Sequence, residues 1–356
     1  MSRTSRASRW ISWARLHGQR LASRRMAGAE DIVGWLGAVQ AQEYPLAKWG
    51  LGLRLRRATD ASIERAFAAG SILRTHVLRP TWHFVTPADI RWMLALTGPR
   101  IRANVASYDR QLGIDPGAIT RAIRAIAAAL EGGAQLTRIE LKAVLTRAGL
   151  NTHGTQRLTH LIIHAELDAV ICSGARRANL QTYALLDDRV PRSRPRSRDD
   201  SLAELARRYF TGHGPAQLKD FSWWSGLTAG DARTALALSR HHLEEKEVEG
   251  RTYWFSASLG SVERPERAAY LLPPYDEYLI AYKDRSAALD SALWDAVVSW
   301  DPFSAPIVVD GCVVGGWKRT VEKGTVRLRL DLPRKLSRAD SRLVDDAVGR
   351  HQAFLG

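Results

Sequence analysis

The apolar positions change their period several times along the chain, and each change predicts a new element. Near the start, Ile32, Val33, Trp35, Leu36 and Val39 recur at helical spacing. This predicts a helix that buries one face and ends near Gln40-Ala41-Gln42, before Pro45 forbids continuation. From Leu136 the pattern runs helix, turn, helix and two short strands: LTRIELKAVLTRAGL, TQRLTHLIIHAELDAVICSG and RRANLQTYALLDD. Thr155 suits the N-cap of the second helix, Leu158, Leu161, Ile162 and Leu167 form its apolar face, and Ile171 with residues 183–186 suit the strands. That order reads as a winged helix-turn-helix.

A second copy begins at Ser201 with SLAELARRYF, passes through GPAQLKDFSWWSGLTAGDARTALALS and closes with a hairpin over 243–255. Pro215 fits the first position of a helix, Gly226 a C-cap, Thr228 the next N-cap, and Glu249-Gly250 the turn of the wing. The two copies are joined by VPRSRPRSRDD, a Pro-, Ser- and Arg-rich linker. A degenerate third copy is read from helices over 10–65 followed by the alternating SILRTHVLRPTWHFV. From Ala268 onward the pattern is strand-rich, with Asp310-Gly311 as a hairpin signal and a final helix over 337–354. The expected fold is α+β, with tandem winged helix-turn-helix repeats scaffolding a C-terminal β-barrel, divided at 1–100, 101–190, 200–260 and 262–356.

Composition narrows the function. A hydrophobic fraction of 45% with 12 tryptophans in 356 residues describes a folded protein. The net charge of +15 favours a polyanionic partner. No run reaches the roughly twenty apolar residues of a membrane span, so double-stranded DNA is the expected partner and no membrane is. Cys172 and Cys312 lie far apart with no CxxC pair, so no zinc site, disulfide framework or cofactor is expected. The start, MSRTSRASRW, lacks the apolar segment of a secretion signal and reads either as a frayed terminus or as a DNA-contacting arm. A cytoplasmic, nucleoid-associated monomer is the expectation.

Several side chains are candidates for chemistry. His160 and His164 stand at i, i+4, a spacing metal sites use, but with no HExxH or third ligand they fit better on a recognition helix, half packed and half facing phosphate. Arg157, Arg176 and Arg177 lie where a winged helix presents its recognition helix and wing, open either to phosphate or to solvent. Arg79, Thr81 and His83 share one face if LRPTWHFV is a strand, and Trp223 and Trp224 suit the core of the second copy. Gln40 and Gln42 converge only if the helix before them has ended; otherwise they are a polar helix terminus. GxSxG, P-loop and GxGxxG fingerprints are all absent from the sequence.

Taken in order, VQAQ (39–42), LRTHVLRPTWHFVTPAD (73–89), LLPPYDEYLIAYKDR (271–285) and VVDGCVVGGWKRT (308–320) resemble the winged-helix DNA glycosylases of the AlkZ-like group, related to the YcaQ proteins, which unhook or excise alkylated bases. The resemblance covers nearly the whole chain. It implies tandem winged helices around a β-barrel and an active site marked by a Gln-x-Gln pair, here Gln40 and Gln42. YcaQ-type relatives carry Gln-x-Asp, so this sequence sides with the azinomycin-resistance branch. The 73–89 stretch departs from an Arg-Gly-Thr-x-His form at Pro80, which bears on the backbone path there and not on side-chain spacing. The shared strand face and the resemblance together place Arg79 and His83 in the glutamines' concavity, against the nucleic acid, and Lys318 and Arg319, after a Gly315-Gly316 turn, are expected on the same DNA-facing side.

A glutamine pair has no ionisable group to act as a base, but it can orient water. An alkylated purine with a ring positive charge is already an activated leaving group, so a positioned nucleophile and stabilisation of an oxocarbenium-like sugar suffice. Neutral uracil is expected to be a poor substrate. The competing readings are a non-catalytic winged-helix DNA-binding protein or regulator, and a scaffold that binds nucleic acid through charge alone. All three share one expectation: the dissociation constant for undamaged duplex, measured by fluorescence anisotropy, rises at least about tenfold between roughly 50 and 200 mM salt as counterions are released. Salt-independent binding would contradict it.

Overall fold

The apolar stripe of Ile32, Val33 and Leu36 forms the helix Ala29–Leu36 in the computed structural model, which describes residues 6–22, 25–289, 305–322 and 325–356. Residues 1–5 of the basic arm lie outside the described residues. The helix ends sooner than its spacing predicts. Gly37 takes a φ of 82°, a region that L side chains enter only with strain, and the chain turns into an extended run. That run, β1 (Val39–Gln40), pairs with a later hairpin of β2 (Leu73–His76) and β3 (Trp82–Val85), giving an antiparallel sheet of order β1-β3-β2. Gln40 stands opposite His83, and His83 opposite Thr75. Non-local strand pairing has overridden the local helical period.

Arg79 and Thr81 do not share a strand face with His83, because β3 begins only at Trp82. They sit in the β2–β3 loop, tightened by Arg79 N–H to Val77 O and Thr81 N–H to Arg79 O, each at 2.7 Å. Leu78 in this loop has a φ of 63°, and its carbonyl presses on Gly226, where a Cβ would come within 2.2 Å of it. Only glycine admits so close a backbone approach.

Two later stretches each place three helices before or around antiparallel strands. In the first, helices Pro116–Leu130, Arg138–Arg147 and Thr155–Leu167 accompany β4 (Leu136–Thr137), β5 (Ile171–Ser173) and β6 (Thr182–Leu185), in sheet order β4-β6-β5. Gly154 occupies the N-cap position expected for Thr155, which is the first helical residue. In the second, helices Arg198–Gly212, Leu218–Ser225 and Ala229–Ser239 lead to a hairpin of β7 (Leu243–Val248) and β8 (Arg251–Ser256), turning at Glu249-Gly250. Gly226 caps its helix in the left-handed conformation, and the Thr228 side chain accepts from Asp231 N–H. Pro215 does not open a helix, because Ala216 exchanges both backbone hydrogen bonds with Trp254 and helical geometry waits until Leu218. Trp224 is fully buried whereas Trp223 is 42% exposed, so only one of the pair packs the core.

The last sheet holds β9 (Ala269–Leu271), β10 (Ala305–Val309), β11 (Cys312–Glu322) and β12 (Thr325–Asp331) in the order β12-β11-β10-β9. It curls into a half-barrel rather than a closed barrel among the described residues, and the helix Arg338–Leu355 packs along β9. Asp310-Gly311 makes the expected hairpin turn, with φ of 49° and 84°. Gly315-Gly316 lies inside β11 instead of at a turn; a Cβ at Gly315 would meet Asp331 O at 2.4 Å. Lys318 and Arg319 therefore follow one another on a strand and point to opposite faces, Arg319 sharing its side with the buried Trp317.

Both ends of the sequence build one core: Ile32, Val39, Trp49 and Phe84 pack with Leu271, Ile307, Trp317 and Phe354. A second core joins Leu73, Val85 and Ile90 to Tyr209, Trp224 and Tyr282, while the buried residues of a third come from 114–183, with Trp82 packed against them. The first core is pinned by a buried ion pair. Arg54 donates to both carboxylate oxygens of Asp276, at 2.8 and 2.9 Å, and its remaining N–H groups reach Gly50 O, Gln19 O and Gln19 Oε1. Replacing Arg54 by Ala leaves Asp276 a buried carboxylate without its counter-charge, so urea unfolding should show a loss of about 3–5 kcal/mol. A loss under about 1 kcal/mol would mean that water reaches the carboxylate.

Candidate active site

Extended backbone continues past β1, since Ala41 N–H donates to Trp82 O at 2.7 Å. Val39 and Ala41 consequently enter the core, and Gln40 and Gln42 project to the other side. Gln40 is 7% exposed, its Oε1 accepting from Arg79 Nη2 at 2.8 Å and its backbone N–H donating to Glu277 Oε1 at 2.8 Å. Gln42 is exposed, and its Oε1 lies 3.3 Å from the backbone N–H of Trp82. Each amide oxygen has two lone pairs, so one acceptor direction on each remains for another donor.

Two buried ions brace this segment from opposite sides. Arg74 donates from Nε to Ala41 O at 3.0 Å and from Nη2 to Gln42 O at 3.3 Å, with its guanidinium 4.3 Å over the Trp82 ring and a further bond to Gln181. Burial lowers its pKa to about 10, so it stays charged at neutral pH. Glu277, 1% exposed, accepts from Gln40 N–H on one oxygen and from Trp224 Nε1 (2.9 Å) and His213 Nε2 (3.2 Å) on the other. Burial pushes the Glu277 carboxyl upward, but the hydrogen bonds from His213 and from Gln40 N–H outweigh it, and the group lies below the usual glutamate range.

His83 is fully buried and donates from Nδ1 to Thr81 O at 2.8 Å. That tautomer leaves Nε2 as an acceptor without a partner among the described residues, and Thr75 Oγ1, Thr81 Oγ1 and Arg79 Nε likewise lack one there. Four such atoms grouped around Gln40 are unusual in a protein interior, where buried polar groups are normally paired.

The other expected contacts are arranged differently. Arg157 bonds Asn151 O and Leu112 O, tying its helix to neighbouring loops. Arg176 lies over Tyr44 at 4.6 Å, and Arg177, at the wing, bonds Glu140 Oε1 and Gln135 O at 2.8 Å each. His160 and His164 do not face phosphate: both are buried on Asp109, one on each carboxylate oxygen, at 2.6 and 3.0 Å. Among the described residues no group of three His, Cys, Asp or Glu is placed to hold a metal ion, and no helix is long and apolar enough to cross a membrane. Arg74 and Glu277 were not anticipated from their own sequence positions. The available signal was a charged pair, Asp276-Glu277, inside an otherwise apolar and aromatic run.

The fold matches that of the structure of Streptomyces sahachiroi DNA glycosylase AlkZ, with a TM-score of 0.78 over 97% of this chain and 96% of that one, at 23% identity. The chain belongs to the DNA glycosylase AlkZ-like family, whose model matches residues 33–354. It is thus an enzyme of the class that hydrolyses N-glycosidic bonds. The interstrand DNA cross-link repair glycosylase of Streptomyces sahachiroi is 26% identical over 333 residues, covering 86% of each chain.

Burial, with the charge of Arg79 adding to it, holds the His83 pKa down to about 3, against an ordinary value of 6.5. Between those values the unfolded chain binds more protons than the folded one, so stability falls as pH drops through that window, by up to about 1.4 kcal/mol per pH unit for one such group. His351, lowered to about 4 by burial and then by Arg319, acts in the same direction. Urea unfolding at pH 7, 6 and 5 should show this loss, and the slope should be shallower in His83→Gln. An identical slope in that variant would assign the proton uptake elsewhere.

Proposed function

We propose that this enzyme excises cationic alkylated purines from double-stranded DNA, and unhooks bulky or interstrand crosslinks of the same chemistry, with Gln40 and Gln42 holding the attacking water. The observation that carries the reading is the pair of amide oxygens on one side of an extended segment, each fixed by a single donor, Arg79 for Gln40 and Trp82 N–H for Gln42. A water donating its two protons to these oxygens keeps its lone pair free to attack C1′ as the base departs. The amides remove no proton from water in the ground state, so the leaving group must already be activated, as a purine carrying a ring positive charge is. An N-alkylated purine leaves as a neutral base, and the proton lost by water passes to solvent after attack.

The helical stretches at 116–185 and 198–256 support the reading of winged-helix units arranged around this segment, with residues 1–100 as a third such unit and 262–356 as the half-barrel. Their surface arginines, Arg177 among them, and Lys318 are proposed to contact phosphates, while Arg79, Thr81 and His83 shape the site around Gln40. The enzyme is proposed to act as a monomer on chromosomal DNA in the cytoplasm.

The test is single-turnover excision of N7-methylguanine from a duplex, with alkaline cleavage of the abasic product. Gln40→Ala or Gln42→Ala should slow excision by about a hundredfold, since positioned hydrogen-bonding groups are worth ~3 kcal/mol to a transition state. Affinity for undamaged duplex should change little. Gln42→Asp should retain activity, because a carboxylate both holds water and stabilises a cationic sugar. Normal excision by the folded double alanine variant would reduce the pair to a polar strand end.

A further inference from the structure

We infer that Glu277 is a positioning residue for base excision: its buried carboxylate fixes Gln40 through the backbone N–H and supplies the negative charge that the glutamine pair lacks. The inference rests on Gln40 and Gln42 as the water-holding groups.

Positive charge is concentrated where the proposed reaction takes place. The substrate base is cationic, the sugar gains positive charge as the base leaves, and Arg79 adds a guanidinium bonded directly to Gln40 Oε1. Two neutral amides offset none of this. Glu277 is the carboxylate hydrogen-bonded to the motif itself, whereas Glu64 is engaged by Lys48 and Tyr44, and Glu166 by His76. Arg79 and His83 both sense the Glu277 charge. In surroundings poor in water such a charge acts over a longer range than it would at a surface.

The geometry also excludes a general-base role. Both Glu277 oxygens are held, one by Gln40 N–H and the other by Trp224 and His213, so the carboxylate is committed to these donors and is not free to take a proton from water. Its backbone is fixed as well. Asp276, clamped by Arg54, caps the short helix Glu277–Ile280 by accepting from Tyr278 N–H.

The experiment uses the full chain and the same N7-methylguanine duplex, comparing the single-turnover rate with the dissociation constant for undamaged duplex. Glu277→Gln, neutral and nearly isosteric, should excise at least about tenfold more slowly with duplex affinity unchanged, and Glu277→Asp, which keeps the charge, should recover part of the rate. A wild-type rate in folded Glu277→Gln overturns the inference. Should that variant not fold, Trp224→Phe removes one donor and loosens the carboxylate; a several-fold slower rate supports the inference and a wild-type rate overturns it. The double variant Gln40→Ala, Gln42→Ala separates the two levels. If it is inactive while Glu277→Gln is normal, only the role of Glu277 falls; if it is fully active, the water-holding reading falls and this inference with it.

Discussion

Two adjacent carboxylates shut away from water, Asp276 and Glu277, set the terms on which the rest of this molecule is assembled. An ion buried alone is prohibitively unfavourable, so each needs partners of opposite charge or strong donors. Asp276 takes the bidentate guanidinium of Arg54, and Glu277 takes the Gln40 amide, the Trp224 indole and His213. Those partners come from sequence positions 40, 54, 213 and 224, so satisfying two neighbouring side chains draws the amino-terminal region and the helices after residue 198 onto the edge of the half-barrel. The shared apolar core of the two chain ends closes over an arrangement that these polar contacts orient.

The sheet β1-β3-β2 lies at the seam of two cores. One face sends Val39 and Phe84 into the first, and the other sends Leu73 and Val85 into the second. Between those apolar rows the second face carries Gln40, His83 and Thr75 side by side. A polar row inside a packed interior is tolerated only where its groups are met or where binding something will meet them. The row changes character along β1: Gln40 is buried and held, while Gln42, two residues on, reaches solvent. Arg74 holds this stretch by gripping the carbonyls of Ala41 and Gln42.

Local signals in the sequence were legible wherever a turn or cap is decided by the residues within it. Asp310-Gly311, Glu249-Gly250, the Gly226 C-cap and the Thr228 N-cap all depend on φ values or side-chain bonds within a few positions. The helix ahead of the glutamines was different, because its end is set by a strand that pairs from residue 82 onward. His160 and His164 looked available for phosphate because their partner, Asp109, is about fifty residues away. That the glutamine pair marks the site is what the resemblance implies; taken alone, its residues read first as a polar helix end. Arg74 and Glu277 look like an ordinary arginine in a strand and an ordinary glutamate in a loop until their partners are known.

The bond between Gln40 and Glu277 spans 237 residues of chain. During synthesis at about 5–20 residues per second, the strand bearing Gln40 leaves the ribosome roughly 10–50 s before the carboxylate that braces it. For that interval β1 has no anion beneath it and half of its apolar core has yet to be made. Contacts of such long separation are costly to close and form late. The segment that carries Gln40 therefore reaches its final packing only after the chain past residue 277 has been made, and the order of synthesis fixes the order in which this part of the fold can close.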